Sequence, residues 1–274
     1  MQASISWSPP GGVLGSLLES TRERVRLLKP REAELIAAAA RADARPSFGG
    51  ALRAGNGVAV IAEIKRSSPS KGAIAPGLSA LDQAGAYAAG GAAAISVLTE
   101  PSRFGGSIGD LVDAKGVERP LLRKDFIIDR LQMVEAVASG ASATLLIARA
   151  LPPAKLAELH AEGLALGLEL LVEVHDEDEL AIAIAAKYPI VGVNNRDLVT
   201  LEIDAGVGAR LIPQLPSGVT AVYESGVRTR ADVERAAAAG ADAVLVGSAL
   251  SSSRAAAEEV RGLVGVPRQA RRAS

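Results

Sequence analysis

The sequence contains no cysteine and only two histidines, His160 and His175. Without cysteine there are no disulfides, thiolate metal sites or cysteine nucleophiles, and two histidines are too few for a histidine-rich metal centre. Aromatic residues make up only 3% of the 274 residues, and the formal net charge is −1. This charge gives no general attraction to nucleic acid or to an anionic membrane, so any phosphate must bind at a local site.

No targeting segment is expected from the sequence. Residues 1–12 lack the basic region and apolar run of a secretory signal, and glycine or a charge interrupts every apolar stretch that could span a membrane. Hydrophobic residues make up 49% of the chain and charged residues 22%, which favours a folded domain with a substantial core. We therefore expect a soluble, cytoplasmic protein, whose basic end at residues 268–274 is a short flexible tail.

Residues 1–57 are expected to form an N-terminal helical extension. Leucines and valines recur at helical spacing between Val13 and Arg41. Pro30 should divide this region into two helical pieces, because proline interrupts a helix interior. Residues 42–57 are rich in glycine, proline and alanine, and are expected to form a linker.

From residue 58 onward, short apolar segments alternate with longer stretches rich in alanine and leucine. The segments are continuously apolar, as expected for parallel strands with both faces buried. The eight predicted strands are Val58–Lys65, Ala93–Thr99, Leu121–Asp125, Thr144–Ala148, Glu169–Val174, Ile190–Asn194, Thr220–Glu224 and Ala243–Gly247.

Eight strand–helix units without a second block of different composition predict a single α/β domain over residues 1–274, a (β/α)8 TIM barrel with an N-terminal helical extension. An open, doubly wound sheet is the main alternative. It usually has fewer strands, and the Gly-x-Gly-x-x-Gly turn expected after the first strand of a dinucleotide-binding sheet is absent.

Charged residues stand where the predicted strands end, which is where barrels of this kind carry their active sites. Glu63 and Lys65 are two positions apart and should point to the same side of their strand. Lys124 and Glu173 end two further strands. Buried charges are costly unless they are paired, so these residues indicate either a catalytic site or a structural ion-pair network that closes the barrel top.

The last two strands end in Ser225-Gly226 and Gly247-Ser248. Glycine allows the backbone to approach a ligand, and the loops after strands 7 and 8 are the usual phosphate-binding place in this fold. His175 is expected to be a solvated loop histidine, and no metal site is expected. Two phenylalanines near strand ends, Phe104 and Phe126, either contact a substrate ring or pack under a loop.

Seven stretches of the sequence resemble indole-3-glycerol phosphate synthase, an enzyme of tryptophan biosynthesis. The most specific are IAEIKRSSPSKG at residues 61–72, LRKDFIID at 122–129 and VNNRDL at 193–198. The others occur in the family's order at residues 95–100, 171–175, 224–226 and 245–248.

The resemblance implies a small phosphorylated, anthranilate-derived substrate, 1-(2-carboxyphenylamino)-1-deoxyribulose 5-phosphate, which loses CO2 and water to give indole-3-glycerol phosphate. It implies Lys124 as general acid, Glu173 and Glu63 as the catalytic carboxylates, and Lys65 as a ligand of the substrate carboxylate or a second acid. Asn194 is implied to hold Glu63 or a substrate hydroxyl. The remaining implied residues are Ser68, Ser96, Phe104, Phe126, Arg196 and Glu224 for the substrate, and Ser225, Gly226, Gly247 and Ser248 for the phosphate.

Three other functions remain open from the sequence. A related phosphate-binding isomerase would not require both lysines, whereas a Schiff-base aldolase would use one lysine to form an imine. A barrel kept only as a binding or assembly partner would be expected to lack the charged residues at its strand ends. We expect no cofactor and no nucleic-acid or membrane partner, and a protein partner from the same pathway is not indicated.

Overall fold

Eight parallel strands close into a barrel in the computed structural model, which describes residues 7–271. The first strand pairs with both the second and the eighth, for example Glu63 with Ser96 and Ala59 with Ala243. The barrel predicted from the sequence is thus confirmed. The strands are β1 Ala59–Ile64, β2 Ala94–Leu98, β3 Leu121–Lys124, β4 Ala143–Ile147, β5 Glu169–Val174, β6 Ile190–Asn194, β7 Thr220–Glu224 and β8 Ala243–Val246.

Helices surround the barrel and connect consecutive strands. Short 3-10 turns occur at Lys29–Arg31, Ala148–Ala150 and Ile212–Gln214, and a small antiparallel ribbon pairs Ser67–Ser68 with Gly72–Ala73. The helices are α1 Gly12–Leu28, α2 Glu32–Ala40, α3 Phe48–Arg53, α4 Ala80–Gly90, α5 Pro101–Phe104, α6 Ile108–Ala114, α7 Arg130–Ala138, α8 Pro153–Ala165, α9 Glu177–Ala185, α10 Gly206–Leu211, α11 Arg230–Ala238, α12 Ser248–Ser251 and α13 Ala256–Leu263.

Burial on both faces explains why the strands are continuously apolar. Nearly every strand residue is buried, because one face lines the barrel interior and the other packs against the helices. Local signals fix where the helices begin and end. In α7, the Asp129 side chain accepts from the Leu131 N–H and the Gln132 side chain accepts from the Asp129 N–H. Gly91 ends α4 with a φ of 97°, a conformation that favours glycine.

The N-terminal extension consists of α1 and α2, separated by the 3-10 turn that contains Pro30. Leu14 and Leu17 bury one face of α1. The region expected to be a linker is more ordered than the sequence suggested, because it contains α3. The Ser47 side chain caps this helix by accepting from the Gly50 N–H, and Phe48 is fully buried.

The C-terminal segment is held against the barrel as far as Arg271, in contrast to the flexible tail expected from residue 268. Arg268 Nη2 donates to the carbonyls of Leu52 and Gly57. Arg271 Nη1 lies 2.9 Å from an oxygen of Asp242. Residues 1–6 and 272–274, which complete the expected N-terminal segment and tail, lie outside the described residues. None of the helices between residues 7 and 271 is long and apolar enough to cross a membrane.

Candidate active site

The carboxyl ends of the strands surround a cavity of about 530 Å³. All but two of the site residues predicted from the sequence line it. These lining residues belong to the strands, to the strand ends or to the loops that follow. They are Glu63, Lys65, Phe104, Lys124, Phe126, Glu173, Asn194, Arg196, Glu224, Ser225, Gly226, Gly247 and Ser248.

The two exceptions are Ser68 and Ser96. Ser68 lines a smaller adjoining cavity instead. Ser96 is fully buried in β2 beside Glu63, and its hydroxyl has no hydrogen-bond partner among the described residues. Ser96 lines neither of these two cavities.

Lys124, at the end of β3, joins two carboxylates from different strands. Its Nζ lies 2.6 Å from Glu224 Oε2 and 3.2 Å from Glu173 Oε2. Burial disfavours the ammonium ion, but Glu224, Glu173 and Glu63 outweigh this effect and raise the pKa of Lys124. The lysine is therefore protonated at neutral pH, as a proton donor must be.

Glu173, on β5, is held through both of its oxygens. Besides the contact of Oε2 with Lys124, Oε1 accepts a 3.0 Å hydrogen bond from Asn194. Burial would raise the pKa of Glu173, but Lys124 and His175 lower it well below its usual range. Asn194 thus contacts Glu173, whereas the resemblance led us to expect Glu63 or a substrate hydroxyl.

His175 is buried, which corrects the expectation of a solvated loop histidine. Its Nε2 lies 3.2 Å from Glu173 Oε1, and its Nδ1 lies 3.0 Å from Glu179 Oε2. Glu179 belongs to α9, one helical turn further along the chain. The spacing of four residues between His175 and Glu179 is a local indication of this contact, because positions four apart are neighbours at a helix start.

Glu63 and Lys65 form an ion pair at the end of β1, as their period-two spacing predicted. Their charged atoms are 2.7 Å apart. A Cβ added at Gly247 would come within 2.9 Å of Lys65 Nζ and even closer to Glu63 Oε1. Gly247 thus leaves room for the ion pair, in addition to any contact with a ligand.

Glu224 is buried at the end of β7, and its Oε2 forms an ion pair with Lys124 Nζ. Burial and the nearby Glu173 carboxylate raise its pKa to about 7, although Lys124 opposes the shift. A Cβ at Gly192, on the neighbouring strand β6, would collide with Glu224 Oε1. The role of Gly192 could not be recognised in the sequence, because it depends on a side chain of the adjacent strand.

The loops after β7 and β8 form another part of the wall. Ser225 and Gly226 both have positive φ, 64° and 82°. Such a conformation is uncommon for serine and is typical of functional sites. Gly247 and Ser248 follow β8 directly at the start of α12, whereas residues 227–229 separate Gly226 from α11. All four residues face the same cavity.

Helix α1 contributes to the site from outside the barrel. The adjoining cavity of about 70 Å³ is lined by Leu14 and Leu17 of α1. Phe104 and Phe126 also line it, with ring centroids 6.4 Å apart, together with Lys65 and Arg196. This apolar subsite was not predicted, since nothing local in α1 indicates which part of the barrel it covers.

The cavity therefore combines a buried ammonium–carboxylate cluster, a glycine-rich rim and an apolar recess. The cluster can donate and accept protons, and the recess suits a flat ring. Within residues 7–271, no three acidic or histidine side chains are grouped in a way that could hold a metal ion. The fold and the site define a (β/α)8-barrel enzyme with a charged cavity at the carboxyl ends of its strands.

Comparison with known proteins identifies the family. The sequence model of the family described as indole-3-glycerol phosphate synthase matches residues 14–263. The chain belongs to this family, and it is accordingly a carboxy-lyase of tryptophan biosynthesis with indole-3-glycerol phosphate synthase activity.

Similar proteins carry the same description. An indole-3-glycerol phosphate synthase of Opitutus terrae is 45% identical over 249 residues, which is 88% of this chain and 94% of the relative. The indole-3-glycerol phosphate synthase 1 of Streptomyces coelicolor is 50% identical over 226 residues, covering 81% and 84%.

Solved structures with much lower identity share the fold. A thiamine phosphate pyrophosphorylase from Pyrococcus furiosus has a TM-score of 0.55 at 12% identity, over 75% of this chain and 93% of that one. The tryptophan synthase alpha subunit of Legionella pneumophila has a TM-score of 0.54 at 15% identity, over 75% and 91%. At these identities the likeness supports the barrel architecture alone.

Proposed function

We propose that Lys124 is the general acid and Glu173 the principal base for closing the indole ring of 1-(2-carboxyphenylamino)-1-deoxyribulose 5-phosphate. The observation that carries this proposal is the position of Lys124 Nζ, within 2.6 and 3.2 Å of two buried carboxylates at the cavity. One protonated amine beside two carboxylates supplies both a proton donor and a proton acceptor at the same part of the cavity.

The cavity suggests how the substrate lies. The phosphate fits the rim formed by Ser225, Gly226, Gly247 and Ser248, because glycine and short polar side chains let an anion approach the backbone. The anthranilate ring fits the apolar recess between α1 and the two phenylalanines. The ribulose part then spans the distance between these two ends and passes the charged cluster.

Ring closure requires the aromatic carbon that bears the carboxylate to attack the ketone carbon. The carbonyl oxygen becomes a hydroxyl by taking a proton from Lys124 Nζ. Lys65 and Arg196 line the same cavity, and their positive charges can hold the substrate carboxylate while the new carbon–carbon bond forms. Loss of CO2 then returns the bonding electrons to the ring system.

Dehydration completes the reaction. Glu173 removes a proton from the intermediate while the hydroxyl leaves as water, having received a proton from Lys65 or from Lys124 after solvent has re-protonated it. Glu63 holds Lys65 in position through their 2.7 Å ion pair. Arg196 is itself oriented by donating to the carbonyl of Leu201.

The test is a steady-state fluorescence assay of indole-3-glycerol phosphate formation with Lys124→Ala and Glu173→Gln. Each variant should lose at least about 100-fold in kcat, because a general acid or base contributes on that order. Lys155→Ala and Glu158→Gln are matched controls, since these residues form an exposed ion pair on α8, and both should retain wild-type turnover. Full activity of folded Lys124→Ala would overturn the proposal.

A further inference from the structure

His175 lies between two carboxylates in the interior of the protein. Its Nδ1 is 3.0 Å from Glu179 Oε2, and the same oxygen accepts a 2.8 Å hydrogen bond from the His175 backbone N–H. Its Nε2 lies 3.2 Å from Glu173 Oε1, within ion-pair distance, but makes no well-aligned hydrogen bond within residues 7–271. The imidazole ring thus links the start of α9 to the carboxylate that we propose as the base.

Charged groups continue behind His175. Glu179 Oε1 accepts a 2.6 Å hydrogen bond from Arg149 Nε. Arg149 also forms ion pairs with Asp176 and Asp197. On the cavity side, Glu173 is contacted by Lys124 and Asn194. Glu179 is therefore fixed by Arg149, and it fixes the histidine ring in turn.

The protonation state of the ring follows from these contacts. A neutral imidazole has one N–H group, so if Nδ1 donates to Glu179, the lone pair of Nε2 faces the Glu173 carboxylate. An imidazolium instead carries a proton on both nitrogens, and its positive charge lies within ion-pair distance of both carboxylates. The charges agree, because Lys124 is shared between Glu173 and Glu224, so Glu173 has no cation of its own unless His175 is protonated.

We propose that His175 is a positioning residue for this reaction: as an imidazolium held by Glu179, it keeps Glu173 ionised and its Oε1 turned away from the substrate. Glu173 Oε2 then remains free to exchange a proton once substrate displaces Lys124. This inference rests on the proposed role of Glu173 as the base. Burial lowers the pKa of His175, but contacts with Glu173 and Glu179 outweigh it and raise the pKa to about 9, in agreement with the geometry.

The kinetic test compares His175→Asn with His160→Asn. His160 is also buried, but it packs against Tyr188, with ring centroids 4.4 Å apart, and does not line the cavity. His175→Asn should lower kcat by about 10-fold or more with little change in KM, since the base is misplaced but the substrate contacts remain. The acidic limb of its kcat profile should move to higher pH, because Glu173 loses a positive neighbour.

A merely structural role would give a different result. It would reduce the amount of active protein, without moving the acidic limb of the pH profile. If His175→Asn has the same kcat and the same profile as His160→Asn, the proposal is wrong. If the wild type itself shows no turnover, the proposed function fails, and the charge of His175 is then decided by the following measurement.

Only two histidines occur in the chain, so a tag-free His160→Asn protein has a single imidazole whose NMR signals belong to His175. These signals should titrate near pH 9, and well below that in the His160→Asn, Glu173→Gln double variant. Titration at or below the ordinary histidine value of 6.5, or no response to Glu173→Gln, would contradict the imidazolium contact independently of any enzymatic assay.

Discussion

At the residue scale, Lys124, Glu173 and Glu224 form a cluster with one ammonium group and two carboxyl groups. Two buried carboxyl groups that share one lysine do not both ionise easily. In this structure their pKa values are shifted in opposite directions. Contacts with Lys124 and His175 outweigh burial and lower the pKa of Glu173, whereas burial raises that of Glu224 to about 7. Such a division is typical of active sites, where one carboxyl is kept charged while another changes protonation near neutral pH.

The raised pKa of Glu224 predicts a stability effect. Its folded value of about 7 lies above the ordinary 4.5, so between these values the folded state binds more protons than the unfolded state, and stability falls as the pH rises. Glu224→Gln removes this contribution. Relative to the wild type, the variant should gain up to about 3 kcal/mol of unfolding free energy between pH 5 and pH 8, at about 1.4 kcal/mol per pKa unit.

Chemical denaturation of both proteins at several pH values measures this difference. Glu158→Gln serves as the control, because Glu158 is exposed on α8, and its difference from the wild type should stay constant with pH. A Glu224→Gln difference that is likewise constant would show that Glu224 titrates normally.

Individual side chains could be predicted where the contact lies within one strand. Glu63 and Lys65 are two positions apart, and the strand period alone brings them together. The partner of Asn194 and the burial of His175 could not be predicted in this way. Asn194 meets Glu173 through the pairing of β5 with β6, and His175 depends on how α9 begins.

At the element scale, α1 is attached to the barrel next to the proposed general acid. Both carboxylate oxygens of Asp125 accept hydrogen bonds from the Arg24 guanidinium, at 3.1 and 2.8 Å. Asp125 also accepts from Thr99 and Arg123, and it follows Lys124 in the chain. This attachment keeps the apolar face of α1 over the recess that we assign to the anthranilate ring.

Arg24→Ala should therefore weaken substrate binding more than catalysis. We expect KM to rise several-fold with a smaller change in kcat, and the unfolding free energy to fall by about 1–3 kcal/mol, as is typical for lost hydrogen bonds to a charged group. Arg26→Ala, which removes an exposed ion pair with Glu23 on the same helix, is the control and should change neither. A large loss of kcat at unchanged KM would argue against α1 as a wall of the substrate site.

The barrel strands were predictable within about one residue at each end because both faces are buried, which makes each strand a continuous apolar run. The break between α1 and α2 was predictable from Pro30. Helix α3 was missed, since its six residues contain two adjacent glycines, Gly49 and Gly50. Only the Ser47 cap and the burial of Phe48 and Leu52 stabilise it, and burial depends on the rest of the fold.

At the scale of the whole molecule, the closed barrel brings charges from distant parts of the sequence to one cavity. Lys124 and Glu224 are 100 positions apart, yet their charged atoms are 2.6 Å from each other. The fold class and most cavity residues could be predicted, because parallel strands place all their carboxyl ends on one side. The contacts of α1 and α9 with the site could not, since they depend on how helices pack across the barrel.

Product stoichiometry with the purified chain tests the proposed ring closure most directly. The substrate 1-(2-carboxyphenylamino)-1-deoxyribulose 5-phosphate, labelled with ¹³C in its carboxylate, is incubated with the enzyme while labelled CO2 and indole-3-glycerol phosphate are measured together. We expect both to appear in equal amounts, and we expect Lys124→Ala to form neither at a comparable rate while Lys155→Ala forms both. Release of CO2 without the indole product, or binding of the substrate without conversion, would contradict the proposed ring closure.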